Sequence, residues 1–352
     1  MSPTSTWDTI FGLSSLICFV LGTTGNILAV TYFLTRRKNL SPNTLLYICI
    51  NVTDIVICCL SLFTGLVNLC PSLGDTLFHR APFLCNVWGV LWNVTIRVSV
   101  FLIALLSITR VVSLHRPYQP LPLRSAGLPV LVYLLLMLLQ AAIPFMRGGT
   151  YQYFPRFKVC SWDLSKVFKL GSAPFNVLYF LLNIVEFVVP IFPVTSCCCF
   201  IIMKLRSKSV TASSARTTLI KREATITIVL LTVTYLMWNL PLCIVLILNY
   251  TTQVNELSHH GSPRHYHFTY DVHLRTFMNS QTIVLNSVCN TCLYFYRITD
   301  LRRWTVDLID LCLNRMFGSS QGVRAWCFKP RVEERYGSRS CIQPKRDLDT
   351  VL

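Results

Sequence analysis

One carboxylate, Asp54, lies in the middle of a long apolar stretch of this sequence. The stretch runs from Asn43 to Asn68 and carries no other charge. A carboxylate in such surroundings is costly unless it is paired, hydrated or bound to a cation. Oxygen atoms that can meet this need are offered by residues of two other apolar stretches, namely Ser99, Asn286, Ser287 and Asn290. These residues predict a buried polar site that holds a cation or a proton.

The elements that must position this site are seven apolar stretches, each long enough to cross a bilayer. A helix needs about 20 mainly apolar residues to span hydrocarbon, where its backbone polar groups must be satisfied internally. The seventh stretch is the most polar, so its order must come from packing inside a bundle. We therefore predict an all-α, seven-transmembrane helix bundle over residues 10–298. The stretches are Ile10 to Leu34, Asn43 to Asn68, Cys85 to Val112, Gly127 to Phe145, Pro174 to Met203, Ala224 to Leu248 and Phe277 to Phe295.

The composition agrees with a multi-pass membrane protein. Hydrophobic residues make up 53% of the chain and charged residues 13%. A soluble chain of 352 residues could hardly bury so many apolar side chains in one core. The net charge of +17 does not indicate nucleic-acid binding, because Lys and Arg lie in the loops and the tail and form no single basic domain. Basic residues are densest in the odd-numbered loops and the tail. The positive-inside rule thus predicts an extracellular N-terminus, residues 1–9, and a cytoplasmic basic tail, residues 314–352.

Most of the sixteen cysteines fall inside the predicted spans, where thiols act as small hydrophobic groups. Cys85 and Cys160 stand clearly in the oxidising compartment with a partner available, and we predict that they form a disulfide bond. No histidine lies in any predicted span, and no span pairs a nucleophile with a base. We therefore expect no enzymatic activity.

Several sparse motifs occur in a fixed order along these stretches, and each is weak alone. From about Gly25 to Trp304 the chain resembles the rhodopsin-like (class A) G-protein-coupled receptors. This resemblance implies a receptor in the plasma membrane that binds an extracellular ligand and promotes nucleotide exchange on heterotrimeric G proteins. The residues that carry it are Gly25-Asn26, Asp54, Cys85, Arg110, Pro117, Pro190, Pro241, Leu285-Asn286-Ser287 and Asn290-Thr291-Cys292-Leu293-Tyr294.

The resemblance gives roles to individual residues. Asp54, with the serines and asparagines named above, matches the family's allosteric sodium site; the alternative is a protonated Asp54 hydrogen-bonded to Asn26 and Asn290, without an ion. The residues expected to act in activation and G-protein coupling are Arg110, Tyr118, Tyr294 and Pro241. Residues 299–313 match the family's short amphipathic helix, with Trp304, Leu308 and Leu311 opposite Arg302, Arg303, Asp307 and Asp310. Cys312 is a candidate palmitoylation site.

The chain departs from the family pattern at the residues of the switch. Thr109 precedes Arg110 where the family has an acid, so a charge-assisted restraint is missing or rerouted, and we hypothesise high ligand-independent signalling. Thr291 replaces a proline, and its hydroxyl is expected to bond back to the carbonyl of Ser287. Asn239 stands where the family has its pivot tryptophan, which puts the family's rotamer switch in question.

Arg97 and Glu186 are the residues that bear most directly on ligand specificity, because both are charged at membrane depth. One interpretation is an ion pair that only fixes the helices; the other is a clamp that opens to hold a carboxylate or an amine. The residues predicted to line the surrounding pocket are Trp88, Trp92, Tyr179, Phe180 and Asn239. Long, aromatic outer loops favour a peptide ligand over a small molecule. The last outer loop contains weak candidates for metal ligands, His259, His260, His265 and His267, although a plain polar loop is the simpler interpretation.

The cytoplasmic segments predict further partners. Serines and threonines of the fifth loop suit receptor kinases and hence arrestin. Thr350 and Leu352 match an ending that adds as a strand to a PDZ domain. Two alternatives to a signalling receptor stay open. One is a decoy or scaffold receptor with altered switch motifs, and the other is a transporter or channel, which should show related halves or helices broken near the midplane.

Overall fold

The helices of the chain assemble into a bundle whose longest members have the lengths that a bilayer requires. A computed structural model describes residues 6–36, 41–115, 121–146, 150–154, 159–162, 190–206, 226–240 and 271–317. The helices are α1 (Thr6–Arg36), α2 (Pro42–Leu69), α3 (Pro71–Arg80), α4 (Pro82–His115), α5 (Arg124–Met146), α6 (Ile191–Arg206), α7 (Ile226–Leu240), α8 (Asp271–Arg297) and α9 (Thr299–Phe317). Strands β1 (Tyr151–Phe154) and β2 (Val159–Trp162) form an antiparallel pair.

Proline residues fix where three of the helices begin. Pro42, Pro71 and Pro82 are the first residues of α2, α3 and α4, where a missing backbone N–H costs nothing. Ser41 caps α2 by accepting a hydrogen bond from the backbone nitrogen of Thr44, at 3.2 Å. The chain therefore turns sharply between α2, α3 and α4, and α3 forms a short helix that our sequence analysis did not anticipate.

Four of the described helices, α1, α2, α4 and α5, are long and apolar enough to cross a membrane. Exposed leucines on α5 recur every three or four residues, at Leu128, Leu131, Leu135 and Leu139, and give this helix a lipid-facing side. By contrast, α4 is the most buried of the four and packs against α2, α5 and α6. The described parts of α6 and α7 are apolar but shorter.

The polar seventh span, α8, is ordered by packing, as its composition predicted. The side chain of Gln281 is buried, and its Nε2 donates to Ser15 Oγ of α1 at 2.7 Å. The Ser14 hydroxyl donates to Gln281 Oε1 at 3.0 Å. Side-chain amides inside a bundle are satisfied by neighbouring helices and not by lipid. Helix α8 is thus attached to α1 by hydrogen bonds at membrane depth.

Small residues bring α1 close to its neighbours. A Cβ atom on Gly25 would lie 2.1 Å from Cγ2 of Thr291, and one on Gly22 would lie 2.4 Å from Sγ of Cys58. Both distances are far shorter than the roughly 3.5–4.0 Å that separates carbon atoms in van der Waals contact. Glycine is therefore required at both positions for α1 to approach α2 and α8.

The amphipathic helix α9 continues four residues beyond the predicted segment and packs beneath α1. Leu301 is fully buried, and the ring of Trp304 lies 5.8 Å from that of Tyr32. On the predicted polar face, Arg302, Arg303 and Asp307 are exposed, but Asp310 is buried. Leu311, on the predicted apolar face, is half exposed, which suits a helix that lies along a membrane surface.

Candidate functional site

Asp54 is fully buried on α2 and is held by two residues of α8. The Ser287 hydroxyl donates to Oδ1 at 2.7 Å, and the Asn290 amide donates to Oδ2 at 3.1 Å. Both bonds use the carboxylate as an acceptor, which is the role of its ionised form. The same two helices thus share the polar site that the sequence predicted.

Helices α1, α4 and α8 carry further buried oxygens of the kind that suits a small hard cation. The side-chain amide oxygens of Asn26, Asn286 and Asn290 are buried and accept no hydrogen bond within the described residues. Asn26 donates its Nδ2 to the carbonyl of Gly22 at 2.8 Å and not to Asp54. Ser99 is buried on α4, which packs against α2. Carboxylate, hydroxyl and amide oxygens are ligands suited to a hard cation, so the donor set fits sodium.

Thr291 makes the hydrogen bond that the sequence analysis expected. Its hydroxyl lies 3.3 Å from the carbonyl oxygen of Ser287, one turn earlier on α8. The prediction of this back-bond is confirmed. Because Ser287 also donates to Asp54, the threonine that replaces a proline is connected to the polar site through a single residue.

At the other end of the bundle, Arg110 lies buried on α4, near Tyr47 of α2. The ring of Tyr47 meets that of Tyr294 on α8 edge-on, with 5.6 Å between the centroids. Tyr294 is fully buried, and its hydroxyl makes no hydrogen bond within the described part of the chain. Arg110 and Tyr294, both predicted to act in activation, are therefore joined through Tyr47.

Thr109, the residue that replaces the family's acid, turns towards α2. Its hydroxyl lies 3.2 Å from Asn43 Oδ1 and 2.9 Å from the backbone oxygen of Leu106. A neutral hydroxyl carries no negative charge and cannot form an ion pair with Arg110. The restraint at this position is therefore a neutral contact between α4 and α2.

A series of aromatic rings joins the Arg110 end of the bundle to α9. The ring centroids are 5.8 Å apart between Trp304 and Tyr32, and 5.5 Å apart between Tyr32 and Phe33. They are 5.6 Å apart between Phe33 and Tyr47, and again 5.6 Å apart between Tyr47 and Tyr294. Edge-on and stacked pairs at these distances add to the stability of a packed core. The series places four helices, α9, α1, α2 and α8, in one continuous aromatic contact.

The predicted ligand-pocket residues that the structure describes lie in different surroundings. Trp88 stacks on Phe78 of α3 at 5.6 Å, whereas Trp92 packs against a cluster that includes Ile57 and Ile283. Arg97 is buried on α4. Asn239 is buried, and its Nδ2 donates to the carbonyl of Tyr235 at 2.9 Å. The two tryptophans, one helical turn apart, thus pack against different neighbours.

Several predicted residues lie outside the described part of the chain. For the pocket and the switch, these are Tyr118, Tyr179, Phe180, Glu186 and Pro241; for the histidines and the tail, they are His259, His260, His265, His267, Thr350 and Leu352. Cys312 is exposed on α9.

The disulfide between Cys85 and Cys160 is present, as predicted. It ties the start of α4 to β2, where Cys160 pairs with Tyr153 of β1. Two further bonds hold the hairpin: Tyr151 N donates to Asn86 Oδ1 at 2.8 Å, and Asn93 Nδ2 donates to the Tyr151 hydroxyl at 2.7 Å. The hairpin itself was not predicted.

Sequence reasoning missed four residues that organise the bundle and its disulfide end. Gln281 and Tyr47 each lie in a stretch where the sequence offered a signal, a long polar amide and a phenol within an apolar span. Asp75 and His79 follow Pro71 and are four residues apart, which is the spacing that places two side chains on the same face of a helix.

Comparisons with known proteins agree with this geometry. A family model described as 7 transmembrane receptor (rhodopsin family) matches residues 25–294. A protein named "Rhodopsin, GQ-coupled" from Mizuhopecten yessoensis is 26% identical over 155 residues, which are 42% of this chain. The match spans only 30% of the length of that relative.

A crystal structure of squid rhodopsin superimposes with a TM-score of 0.60 and 16% identity, and the alignment covers 87% of this chain and 86% of that chain. At this identity the likeness shows the fold. The predicted all-α bundle of seven transmembrane helices is confirmed, and the protein is a multi-pass membrane protein. The chain belongs to the rhodopsin family of seven-transmembrane receptors.

Proposed function

We propose that this chain binds an extracellular ligand and promotes guanine-nucleotide exchange on heterotrimeric G proteins. The proposal is carried by one observation: α2 and α8 contact each other at two separate sites. Asp54 contacts Ser287 and Asn290 in the middle of the bundle, and Tyr47 contacts Tyr294 beside Arg110 at its end. A shift of α8 relative to α2 would alter both sites together, which is how a two-state receptor can transmit binding.

Reconstitution with purified G proteins tests this function. We expect the receptor in lipid vesicles to accelerate nucleotide exchange without added ligand, because Thr109 supplies no charged restraint to Arg110. The named relative is a Gq-coupled rhodopsin, so Gq heads the panel of heterotrimers. Arg110→Gln should abolish the acceleration, whereas Arg124→Gln, an exposed arginine at the start of α5, should leave it unchanged. Equal exchange with and without receptor across the whole panel would refute the proposal.

We propose that the Asp54 site holds a sodium ion. The residues that would hold it are Asp54, Ser99, Asn286, Ser287 and Asn290. Such an ion supplies a positive charge that offsets the buried carboxylate. Thermal stability of the purified receptor should rise with sodium chloride relative to choline chloride, and Asp54→Asn should remove this difference. An equal response of the variant and the wild type would count against the ion.

We propose a peptide as the extracellular ligand and Arg97 as one of its contacts, in line with the long aromatic outer loops. In the clamp interpretation Glu186 opens from Arg97 when the ligand binds. Single and double alanine variants of Arg97 and Glu186 separate the two interpretations. A clamp predicts loss of ligand response with little change in thermal stability, whereas a structural ion pair predicts the reverse.

We propose the N-terminus outside the cell and the C-terminus in the cytoplasm, in the plasma membrane. The disulfide at the start of α4 supports this orientation, because disulfides persist in oxidising compartments. On the cytoplasmic side we propose receptor kinases and arrestin at the basic loop, a PDZ domain at Thr350 and Leu352, and palmitoylation of the exposed Cys312. The family is one of receptors and not of enzymes, and we propose that the chain catalyses no reaction.

A decoy receptor is the alternative that the altered switch residues favour. Thr109 contacts Asn43 instead of forming an ionic restraint, and Thr291 replaces the proline of the family. A decoy would bind ligand and show no exchange in the vesicle assay with any heterotrimer.

A further inference from the structure

A cavity at the disulfide end of the bundle lies apart from the predicted transmembrane pocket. It has a volume of about 580 Å³ and opens between α3, the start of α4 and β1. Its walls include Asp75, Phe78, His79, Asn86, Tyr151 and Tyr153. Trp88, Trp92, Arg97 and Asn239 are not part of its walls. The volume is in the range of small-molecule sites in proteins. We call it the Asp75 cavity.

Helix α3 forms one wall and is fixed by aromatic packing. The ring of Phe78 lies 5.6 Å from Trp88 of α4 and 4.7 Å from Tyr153 of β1. Gly74, one turn before Phe78, leaves the space that the Tyr153 phenol fills, since a Cβ there would lie 2.5 Å from the hydroxyl oxygen. The Tyr153 ring is therefore held against α3 by contacts with Gly74 and Phe78.

The opposite wall is fixed by the three links between the hairpin and α4. These are the disulfide from Cys85, the bond from Tyr151 N to Asn86 and the bond from Asn93 to the Tyr151 hydroxyl. Three of the linked residues, Cys85, Asn86 and Tyr151, themselves line the cavity. A cavity whose walls are tied in this way is preformed, so little ordering entropy is lost on binding.

The described walls of the cavity carry a carboxylate but no lysine or arginine. The carboxylate is that of Asp75. The pKa of the Tyr153 phenol is raised by its burial and, to a lesser extent, by Asp75. The phenol therefore stays neutral, and its ring remains available as an apolar, electron-rich surface. A carboxylate beside aromatic rings is a surrounding that favours cations.

We propose that the Asp75 cavity binds an organic cation, an ammonium or guanidinium group on an apolar stem, with Asp75 as its counter-ion and the rings of Phe78, Tyr151 and Tyr153 around the stem. The cation can come from a small amine or from a lysine or arginine side chain of a peptide. The site goes beyond the proposed signalling function, because binding is measured on the purified receptor without G protein. Loss of coupling and loss of binding are thus separate results.

Titration of the full chain in lipid nanodiscs, followed by saturation-transfer NMR, tests the site. The probes are N-acetylarginine amide, which mimics a peptide side chain, and phenethylamine, a small amine. N-acetylcitrulline amide is the neutral match of the first probe. We expect saturable binding of at least one cation and none of citrulline. Asp75→Asn should weaken binding by about two- to fivefold, the size expected on loss of an exposed ion pair, because the cation–π contacts with the rings remain.

Asp300→Asn, an exposed aspartate on α9, is the control with the same charge change and should bind as the wild type does. Binding of the arginine amide alone would assign the site to peptides, and binding of phenethylamine alone to small amines. Affinity in the wild type should also fall as ionic strength rises, a test that needs no variant. Equal binding of citrulline, unchanged affinity in Asp75→Asn, affinity independent of salt, or no saturable binding of either cation would overturn the proposal.

Discussion

Replacement of Gly25 by alanine tests the close approach of α1 to α8 on which the polar site depends. The added Cβ would lie 2.1 Å from Cγ2 of Thr291, but 3.4 Å from its Cβ and 3.6 Å from its Oγ1. The clash is thus with a single methyl group. Thr291 also bonds back to Ser287, which holds Asp54. A displaced Thr291 would therefore disturb the residues around the carboxylate as well as the helix contact.

The expected cost follows from the kind of contact. Extra atoms in a well-packed core cost about 1–3 kcal/mol of stability. Thr291→Ser removes the clashing methyl group and keeps the hydroxyl that bonds to Ser287; its loss of one buried methyl costs about 0.8 kcal/mol. The double variant should therefore be more stable than Gly25→Ala alone, although Thr291→Ser by itself is destabilising.

The wild type, the two single variants and the double variant form a double-mutant cycle. Their stabilities are compared by thermal unfolding of the purified receptor, measured as the loss of monodisperse protein on size-exclusion chromatography. The matched control combines Gly25→Ala with Thr23→Ser, a threonine-to-serine change on α1 that leaves the Thr291 methyl in place. If the effects of Gly25→Ala and Thr291→Ser simply add, the methyl contact is not the source of the instability and the reasoning is wrong.

Three further predictions concern hydrogen bonds of the bundle. Ser287→Ala removes a 2.7 Å bond to the buried Asp54 carboxylate and should lower stability by about 1.5–3 kcal/mol in thermal unfolding. Ser113→Ala, whose hydroxyl donates to the backbone carbonyl of Thr109 in its own helix, should have a small effect. Gln281→Ala leaves Ser14 and Ser15 without their partner on α8 and should cost about 1–3 kcal/mol; no loss of stability would contradict the anchoring role of Gln281. Thr109→Asp places a carboxylate beside Arg110 and should lower ligand-independent exchange in vesicles, with Thr109→Asn as the neutral control; equal exchange in both variants would exclude the missing restraint as its cause.

The sequence allowed the spans and the polar site to be predicted because their signals are local or strongly physical. The second stretch, Asn43 to Asn68, agrees with α2 to within one residue at each end. A carboxylate in an apolar helix must find polar partners, and serine and asparagine of the seventh span were the available ones. The disulfide followed from the compartment of its two cysteines.

Features that depend on tertiary packing could not be predicted. The role of Tyr47 depends on its edge-on contact with Tyr294, far away in the sequence; a phenol within an apolar span signals a buried polar group but does not reveal its partner. The hairpin of β1 and β2 is fixed by Asn86, Asn93 and a disulfide, so its short strands carry little signal of their own. Trp88 and Trp92 looked alike in the sequence, but α3 covers the first and α1, α2 and α8 surround the second.

The most direct test of the role of Asp54 is to measure nucleotide exchange by the vesicle-bound receptor as a function of sodium concentration, for the wild type and for Asp54→Asn. If the carboxylate that joins α2 to α8 controls the switch, sodium should slow exchange by the wild type and leave exchange by the variant unchanged. Identical sodium responses of the two proteins, with exchange clearly present, would contradict the claim that this buried site governs coupling.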